Sequence, residues 1–492
     1  AAAFTYFHKK AYQLNLAEST LLATLIEAPN DNPIDNPLNA KHRRDNLLNI
    51  LLYKNKISKE EYEDAINSSF PNTEKDNFLS QSKLDPFLNL TIRQLVDIFG
   101  WQKLEQGGLD IISTQDVDLQ NQMECLIEIY LRNINPSVSI KSDQLNTCQS
   151  ARYLVLDNSP LNKINEKQVN IVIMDVATSQ VLALSASPEN NQKDAIHSGR
   201  PPGSLLFPFY YLEGLANGLT PSSLLGGKIH QTQNPSSIGE KLSSLGLNHI
   251  NYSYPLRFRL ALANQSFQQA VEVVNIVGKE SIAYLLNQLG IPLSNNEKSS
   301  EPLPFIDTPL KLIDIAYAYN TLANEGTITG AIFHNNTHEE KPLLEAKPQP
   351  TFILKVQDLK GKQLLEWTIP QSYPVINKQL AYLINNILSD ESTRRKYWED
   401  SHILDIQNPA SIILGNTLDH KDSWTIGYTP SILIGVWVGT SSNGVSLDGE
   451  SPVKLWAALM KYALSGKKVE KWAMPDGIIY KEICELSGEL PS

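Results

Sequence analysis

The stretch Asp-Ser-Trp-Thr-Ile-Gly-Tyr-Thr-Pro-Ser-Ile-Leu-Ile-Gly-Val-Trp-Val-Gly, residues 422–439, decides the fold class of this chain. It holds two runs of β-branched and aromatic residues, Trp424–Tyr428 and Ile432–Val438, on either side of a Thr-Pro-Ser turn. Such runs predict β-strands. A second pair, Val169–Val176 and Gln180–Ser185, flanks the short turn Ala177-Thr-Ser and predicts a β-hairpin. The chain therefore contains antiparallel β-structure.

Helical patterns lie between these strands. Apolar residues recur at helical spacing in the segments Phe207–Leu215, Leu256–Val277, Ser281–Leu289 and Leu310–Ala323. Further strands are predicted at Phe352–Val356 and Ser411–Leu414. Because helices and antiparallel strands come in mixed order, the sequence predicts an α+β domain, with an antiparallel sheet flanked by helices.

The first 70 residues are helical in pattern, and one helix there starts with a capping box of Ser58 and Glu61. Residues 70–95 are polar with mixed charges and predict a linker, and residues 134–166 are polar and irregular. We therefore predict four parts: a helical region (1–70), a linker and entry region (71–168), the α+β domain (169–470) and a C-terminal tail (471–492).

The charge balance argues against one class of partner. The chain has 492 residues, a net charge of -11 and a pI near 5.4. A nucleic-acid-binding domain is expected to present a basic face, so nucleic acid is not a predicted partner. No apolar stretch reaches the roughly 18 residues that a transmembrane helix needs. Any membrane anchor or export signal is expected upstream of Ala1.

The cysteines and histidines predict no metal or other cofactor. Cys125, Cys148 and Cys484 include no CxxC pair, so a zinc or redox site has no support, although one disulfide is possible. His334 and His338 are four residues apart, as in a helical metal-binding pair. The Asn-Asn-Thr sequence between them forms helices poorly, which favours a loop.

Several segments, taken together and in order, resemble class A penicillin-binding proteins over essentially the whole chain. The opening residues resemble the last part of the family's glycosyltransferase domain, and the later segments resemble successive landmarks of its transpeptidase domain. The matching segments include Leu16-Ala-Glu-Ser-Thr20, Ala28-Pro29, Gly107-Gly-Leu109, Ser113-Thr-Gln-Asp116, Arg200-Pro-Pro-Gly-Ser204, Ala261-Leu-Ala263, Ala316-Tyr-Ala-Tyr319, Asp422-Ser-Trp424, Gly427-Tyr-Thr-Pro430 and Val436-Trp-Val-Gly439.

The resemblance implies a penicillin-binding fold preceded by a helical remnant of a glycosyltransferase domain. It also implies a serine nucleophile activated by a lysine in the motif S-x-x-K, one helical turn away. The matching residues here are Ser204 and Phe207. A phenyl ring can neither accept a proton nor donate a hydrogen bond.

The two other motifs of the family are also altered. The S-x-N motif aligns without gaps to Gln265-Ser-Phe267, and a slip of one residue gives Ser266-Phe-Gln268. The K-T-G-T motif aligns to Ile413, Leu414, Gly415 and Asn416, followed by Thr417. Both lysines are replaced, so the expected positive charge for a substrate carboxylate is missing.

These changes predict a transpeptidase-like domain that has lost catalysis, in which Ser204 is a vestigial nucleophile that caps backbone N–H groups. We expect it to serve as a scaffold or binding module of peptidoglycan assembly, outside the cytoplasmic membrane. Its expected partners are peptidoglycan or cell-wall synthesis proteins, and an anchor upstream of this chain is its expected link to the membrane.

Two alternatives stay open at this point. In the first, the domain is a divergent serine D,D-transpeptidase or carboxypeptidase that is acylated at Ser204 with help from Lys193, His197 or Arg200. In the second, this half regulates an active glycosyltransferase that lies upstream. The nearest carboxylates of the opening segment, Glu18 and Glu27, are expected on exposed helix faces and not in a glycosyltransferase site.

Overall fold

The computed structural model describes residues 2–7, 9–33, 36–68, 85–134, 147–155, 167–186, 194–226, 255–293, 303–332, 347–395, 406, 408–417, 421–440, 452–484 and 488–490. The chain divides into two compact units, Ala1–Leu84 and Asp85–Ser492. The boundaries predicted at residues 70, 168 and 470 remain predictions.

The first unit is helical in its described residues. Its helices are α1 (Ala2–Phe7), α2 (Leu16–Thr24), α3 (Pro37–Tyr53) and α4 (Lys59–Asn67). The predicted capping box is confirmed, since Ser58 Oγ accepts from the Glu61 amide at 3.1 Å and the Glu61 carboxylate accepts from the Ser58 amide at 2.7 Å. Ala17, Leu48 and Ala65 form a small core between the helices.

The second unit is built on a five-stranded antiparallel sheet. Its strands are β2 (Lys167–Asp175), β3 (Val181–Ser185), β10 (Ser411–Asn416), β11 (Asp422–Tyr428) and β12 (Ile432–Thr440), in the spatial order β10-β11-β12-β2-β3. The predicted hairpin of β2 and β3 is confirmed. Within the part of the chain that the structure describes, strand β10 lies at one edge of this sheet and pairs with β11, Ser411 lying opposite Tyr428.

Helices cover both faces of this sheet, which confirms the predicted α+β architecture. On one face, a large core includes residues of α8 (Phe207–Ala216), α9 (Phe258–Ala263), α10 (Phe267–Val277), α11 (Lys279–Gln288), α12 (Leu312–Ala323) and α13 (Lys378–Leu388). On the other face, a second core includes residues of α7 (Val117–Ile134) and α15 (Val453–Ala463). The short helix α14 spans Glu391–Arg395.

Three small sheets complete the second unit in its described residues. Strands β1 (Leu109–Ser113), β7 (Ile353–Asp358) and β8 (Gln363–Glu366) form one, in the order β1-β7-β8. The others pair β4 (Leu224–Leu225) with β5 (Leu256–Arg257), and β6 (Thr327–Gly330) with β9 (Gln371–Pro374).

Two local predictions need correction. The mixed polarity of residues 70–95 predicted a linker, but residues 86–95 belong to helix α5 (Pro86–Phe99), which α6 (Trp101–Gln106) follows. Helix α5 forms because its apolar positions, among them Phe87 and Leu95, are buried against the rest of the unit. The single helix predicted at Leu256–Val277 is broken between α9 and α10, where Gln265 adopts a left-handed φ of 52°.

Cys125 of α7 and Cys148 form a disulfide, with their Cα atoms 5.9 Å apart. No helix within the described ranges is both long and apolar enough to cross a membrane. Among these same residues, no group of three or more histidine, cysteine or acidic side chains could hold a metal ion. His334 and His338 lie outside the described residues.

Candidate functional site

The loop that carries Ser204 lies directly on strand β10. Ser204 belongs to a one-turn 3-10 helix, Gly203–Leu206, immediately before α8. A Cβ atom at Gly203 would lie 2.1 Å from the Asn416 carbonyl oxygen, and one at Gly415 would lie 2.4 Å from the Leu205 Cγ. Only glycines allow so close an approach, so the structure brings the first and third predicted motifs together.

Ser204 is buried in this contact, with 4% of its surface exposed. Its hydroxyl donates to the Leu414 backbone carbonyl at 3.2 Å. A carbonyl accepts a hydrogen bond but does not take the proton away, so this contact cannot activate the oxygen as a nucleophile. The side chain thus bonds across to the neighbouring strand, not to the helix N-terminus that the sequence predicted it would cap.

Phe207 fills the position where the resemblance expects lysine. It is the first residue of α8 and has no exposed surface. Its ring makes an edge-to-face contact with Phe267, at 4.9 Å between ring centres, and lies 5.8 Å from Tyr210. Two altered motif positions therefore meet as an aromatic pair, an arrangement that stabilises by packing.

Ile413 joins the same core. It is 1% exposed and belongs to the same cluster of buried residues as Phe207. Leu414, next along β10, is partly buried and packs on the opposite side of the sheet. This alternation is that of any β-strand. Position 413 thus faces the helices that carry Ser204 and Phe207, and it presents an alkyl group there.

The turn between α9 and α10 holds the second motif. Ser266 stands at the N-cap position of α10 but makes no side-chain capping bond, and its hydroxyl donates to the Gln269 side-chain carbonyl. The Gln265 side-chain nitrogen is buried and has no hydrogen-bond partner among the described residues. Neither of the two possible alignments places a serine–asparagine pair here, while the ungapped one places Phe267 against Phe207.

At the end of β10, Asn416 and Thr417 bond to strand β11. The Asn416 side-chain oxygen accepts from Ser423 Oγ at 2.9 Å. Thr417 Oγ1 accepts from the Asp422 amide at 3.1 Å. Both side chains therefore have roles within the sheet.

Arg200, one of the candidate substitute bases, takes part in a charged cluster. Its Nε and Nη2 donate to the two carboxylate oxygens of Asp422 at 2.6 and 3.2 Å. Trp437 Nε1 also donates to Asp422, at 2.9 Å, and the guanidinium carbon lies 5.6 Å from the centre of the Trp437 ring. An arginine is not deprotonated in proteins, so Arg200 is a structural cation here.

His197, another candidate, pairs with the fully buried Asp194. Its Nδ1 lies 3.0 Å from both carboxylate oxygens, and Asp194 also accepts from the backbone amides of Ile196 and His197. The pair therefore anchors the turn that precedes the Ser204 loop. Lys193, the third candidate, lies outside the described residues.

Three residues that the sequence reasoning did not assign a role fix the loop in place: Asp422, Trp437 and Tyr319. Tyr319 Oη donates to the Leu205 carbonyl from the helix side, and burial raises the pKa of this hydroxyl well above its usual value, so it stays a donor. All three lie within segments that carried the resemblance. Their place in those segments could have marked them as important, but it could not show which residues they contact.

The chain is similar in sequence to known proteins. The Transglycosylase family model matches residues 1–52. Penicillin-binding protein 2D of Bacillus subtilis is 24% identical over 97% of this chain, and penicillin-binding protein 1A of Aquifex aeolicus is 25% identical over 96%. The chain spans 63% and 70% of the lengths of these two relatives.

Solved structures show the same fold. Penicillin-binding protein 1A of Haemophilus influenzae superposes over 100% of this chain and 86% of its own, with a TM-score of 0.67 at 20% identity. PonA1 of Mycobacterium tuberculosis covers 82% of this chain and 96% of its own, with a TM-score of 0.57. Together with the ordered motifs, these matches, which cover nearly all of this chain but only part of each sequence relative, show that it is similar to the class A penicillin-binding proteins.

Proposed function

We propose that the second unit is a transpeptidase-like domain that does not form an acyl-enzyme and that acts as a scaffold or binding module in peptidoglycan assembly. The observation that carries this proposal is the aromatic pair of Phe207 and Phe267 beside a buried Ser204. General-base catalysis contributes about 100-fold or more, and the group at position 207 cannot provide it.

The surroundings of Ser204 support the same view. Its hydroxyl donates to the Leu414 carbonyl, and Arg200 and His197 are each engaged with a carboxylate. Ile413 supplies no charge for a substrate carboxylate. The two lysine positions and, in the ungapped alignment, the asparagine position are therefore occupied by the apolar side chains of Phe207, Ile413 and Phe267.

The test is acylation by a fluorescent penicillin, read by intact-protein mass, with Ser204→Ala as the control. We expect no adduct on the folded parent protein. A stoichiometric adduct on the parent that is absent from Ser204→Ala would overturn the proposal and would favour a divergent transpeptidase or carboxypeptidase.

The positive control is a variant in which the family's motif residues are restored. It carries the changes Phe207→Lys, Gln265→Ser, Phe267→Asn, Ile413→Lys and Leu414→Thr. If this variant folds and is labelled while the parent is not, the missing side chains account for the inactivity. If the parent is labelled and the variant is not, the assignment of the motifs is wrong.

A separate observation supports a second role, the regulation of a glycosyltransferase. The Transglycosylase match to residues 1–52 favours a chain in which the transpeptidase-like domain supports or regulates a glycosyltransferase. Glycan polymerisation by the protein with this domain would then exceed polymerisation without it. Equal rates would leave only the scaffold role.

We further propose that this domain lies outside the cytoplasmic membrane, attached through an upstream anchor. The Cys125–Cys148 disulfide supports an oxidising compartment, because such bonds are rare in the cytoplasm. Proposed partners are peptidoglycan and cell-wall synthesis proteins. Cosedimentation with purified peptidoglycan tests the first partner, and loss of the protein from protease-treated spheroplasts tests the location.

A further inference from the structure

The segment that follows α15 is a second feature of interest, and we call residues 472–480 the C-terminal strap. It has no regular helix or strand. Its Trp472 Nε1 donates to the Ala323 carbonyl at the end of α12, at 2.8 Å. The indole meets the Tyr428 ring edge to face, with 5.8 Å between the ring centres.

Beyond Trp472, the strap contacts helix α13. The Asp476 carbonyl accepts from Gln379 Nε2 at 2.9 Å, and the hydroxyls of Tyr480 and Tyr382 are 3.2 Å apart. The Tyr480 side chain itself is 74% exposed. Trp472 is partly buried and packs against the main core, so it anchors the strap there.

Beneath Trp472, a chain of contacts leads to the start of β10. Tyr428 is fully buried and donates its hydroxyl to the Asn385 side chain at 2.8 Å. Ser411, the first residue of β10, donates to the Asn385 carbonyl at 2.9 Å and lies opposite Tyr428 in the sheet. Three residues further along β10 is Leu414, whose carbonyl holds the Ser204 hydroxyl.

We propose that the C-terminal strap sets the position of strand β10, and with it the contact between β10 and the Ser204 loop. The Trp472 ring confines the Tyr428 ring, and this maintains the hydrogen bond from the Tyr428 hydroxyl to the Asn385 side chain. Asn385 in turn accepts the hydrogen bond of Ser411 through its backbone carbonyl. Among the described residues, strand β10 has a sheet neighbour on one side only, so this support acts at an edge of the sheet. The inference is independent of whether Ser204 is acylated.

The test is hydrogen–deuterium exchange of the full chain, comparing the parent with Trp472→Ala. We expect peptides that cover Ser411–Asn416 to exchange about tenfold faster, because the support of one buried hydrogen-bonded tyrosine is lost. Peptides that cover the central pairing of Ile171 with Val436 serve as the internal reference and should keep the parent rate.

Two further variants make the result decisive. Ile479→Ala changes a side chain of the same strap that is 70% exposed, and it should leave β10 unchanged. Trp472→Phe keeps a ring against Tyr428 and preserves folding, and it should raise exchange in β10 by about two- to threefold. Faster exchange confined to the strap, or an equal rise in β10 and in the reference peptides, would overturn the proposal.

Discussion

The Ser204 loop runs between two clusters of side chains, and one cluster is charged while the other is apolar. At one end, the Arg200 guanidinium and the Trp437 indole nitrogen both donate hydrogen bonds to the Asp422 carboxylate. At residue 207, the core contains a phenyl ring packed on Phe267. The loop is therefore positioned by charge at one end and closed by apolar packing at the other.

The charged cluster holds the loop in position, whereas the apolar cluster determines which chemistry the loop can perform. A buried charge is tolerated where its partners satisfy it, and Asp422 accepts three hydrogen bonds from side chains. Proton transfer needs a polar group that can change its protonation state, and position 207 no longer offers one. This is the arrangement on which the proposed function rests: the loop is held in place, and the side chain at position 207 cannot transfer a proton.

The largest expected effect comes from placing a charge in the apolar cluster. Phe207→Lys puts an ammonium group at a fully buried position and should lower the free energy of unfolding by about 3 to 5 kcal/mol. Urea unfolding followed by tryptophan fluorescence measures this loss. A change below about 1 kcal/mol would show that the position can open to solvent.

The matched variants for this experiment are Phe207→Leu and the double variant Phe207→Lys with Phe267→Asn. The leucine variant isolates the loss of ring packing. The double variant should lose less than the sum of the two single changes, since the asparagine can accept a hydrogen bond from the lysine. Strict additivity would contradict the pairing of the two positions.

The next effect tests the charged cluster. Asp422→Asn removes the negative charge that faces the Arg200 guanidinium, and we expect a loss of about 2 to 3 kcal/mol in the free energy of unfolding. The control is Lys378→Met, which removes an ion pair with Glu325 whose partners are 50% and 37% exposed. Surface pairs of this kind contribute about 0 to 1 kcal/mol. Similar losses in both variants would contradict a special role for the buried cluster.

A third experiment probes the contact between the two clusters. A methyl group at Gly415 would meet the Leu205 side chain, so Gly415→Ala should cost about 2 kcal/mol through overpacking. Gly226→Ala is the control, because an added Cβ there has no atom within 4 Å. Thermal unfolding of both variants decides whether the loop and the strand are as closely packed as described.

The smallest expected effect concerns Asp314, an acid in the first turn of α12. Burial raises the pKa of Asp314 from 3.8 to about 6, and Lys311 offsets part of this rise. The folded state thus binds a proton more tightly than the unfolded state, so this residue's contribution falls as pH rises from about 4 to 6. Asp314→Asn should therefore stabilise the protein by about 1 kcal/mol at pH 7.5 and have little effect at pH 3.5. Denaturant unfolding at both pH values measures this, and an equal effect at both would contradict the assignment.

Much of the fold follows from the sequence. Runs of β-branched residues predict the strands at 169–185 and 422–440, and the short turn between β2 and β3 predicts their hairpin. Helix α5 does carry its apolar residues at helical spacing, but the polar residues 70–84 before it gave the whole segment the composition of a linker. The break at Gln265 was missed because a left-handed residue other than glycine leaves little trace in the sequence.

The sequence could predict which residues belong to the candidate site, but not the contacts that they make. The motifs placed Ser204, Phe207 and Ile413 by analogy, but periodicity cannot show that Phe207 packs against Phe267. The partnership of Arg200 and Asp422 joins residues 222 positions apart. Contacts at such separation depend on the final arrangement of the sheet, and a single sequence carries no record of them.

The disulfide between Cys125 and Cys148 affects how this protein must be studied. It closes a covalent loop with a sequence separation of 23 residues. A protease that cuts the chain inside this loop leaves the two pieces joined, so the cut protein migrates as one species until a reductant is added. Fragment maps made with and without reductant will therefore differ in this region, and the difference itself locates the cut.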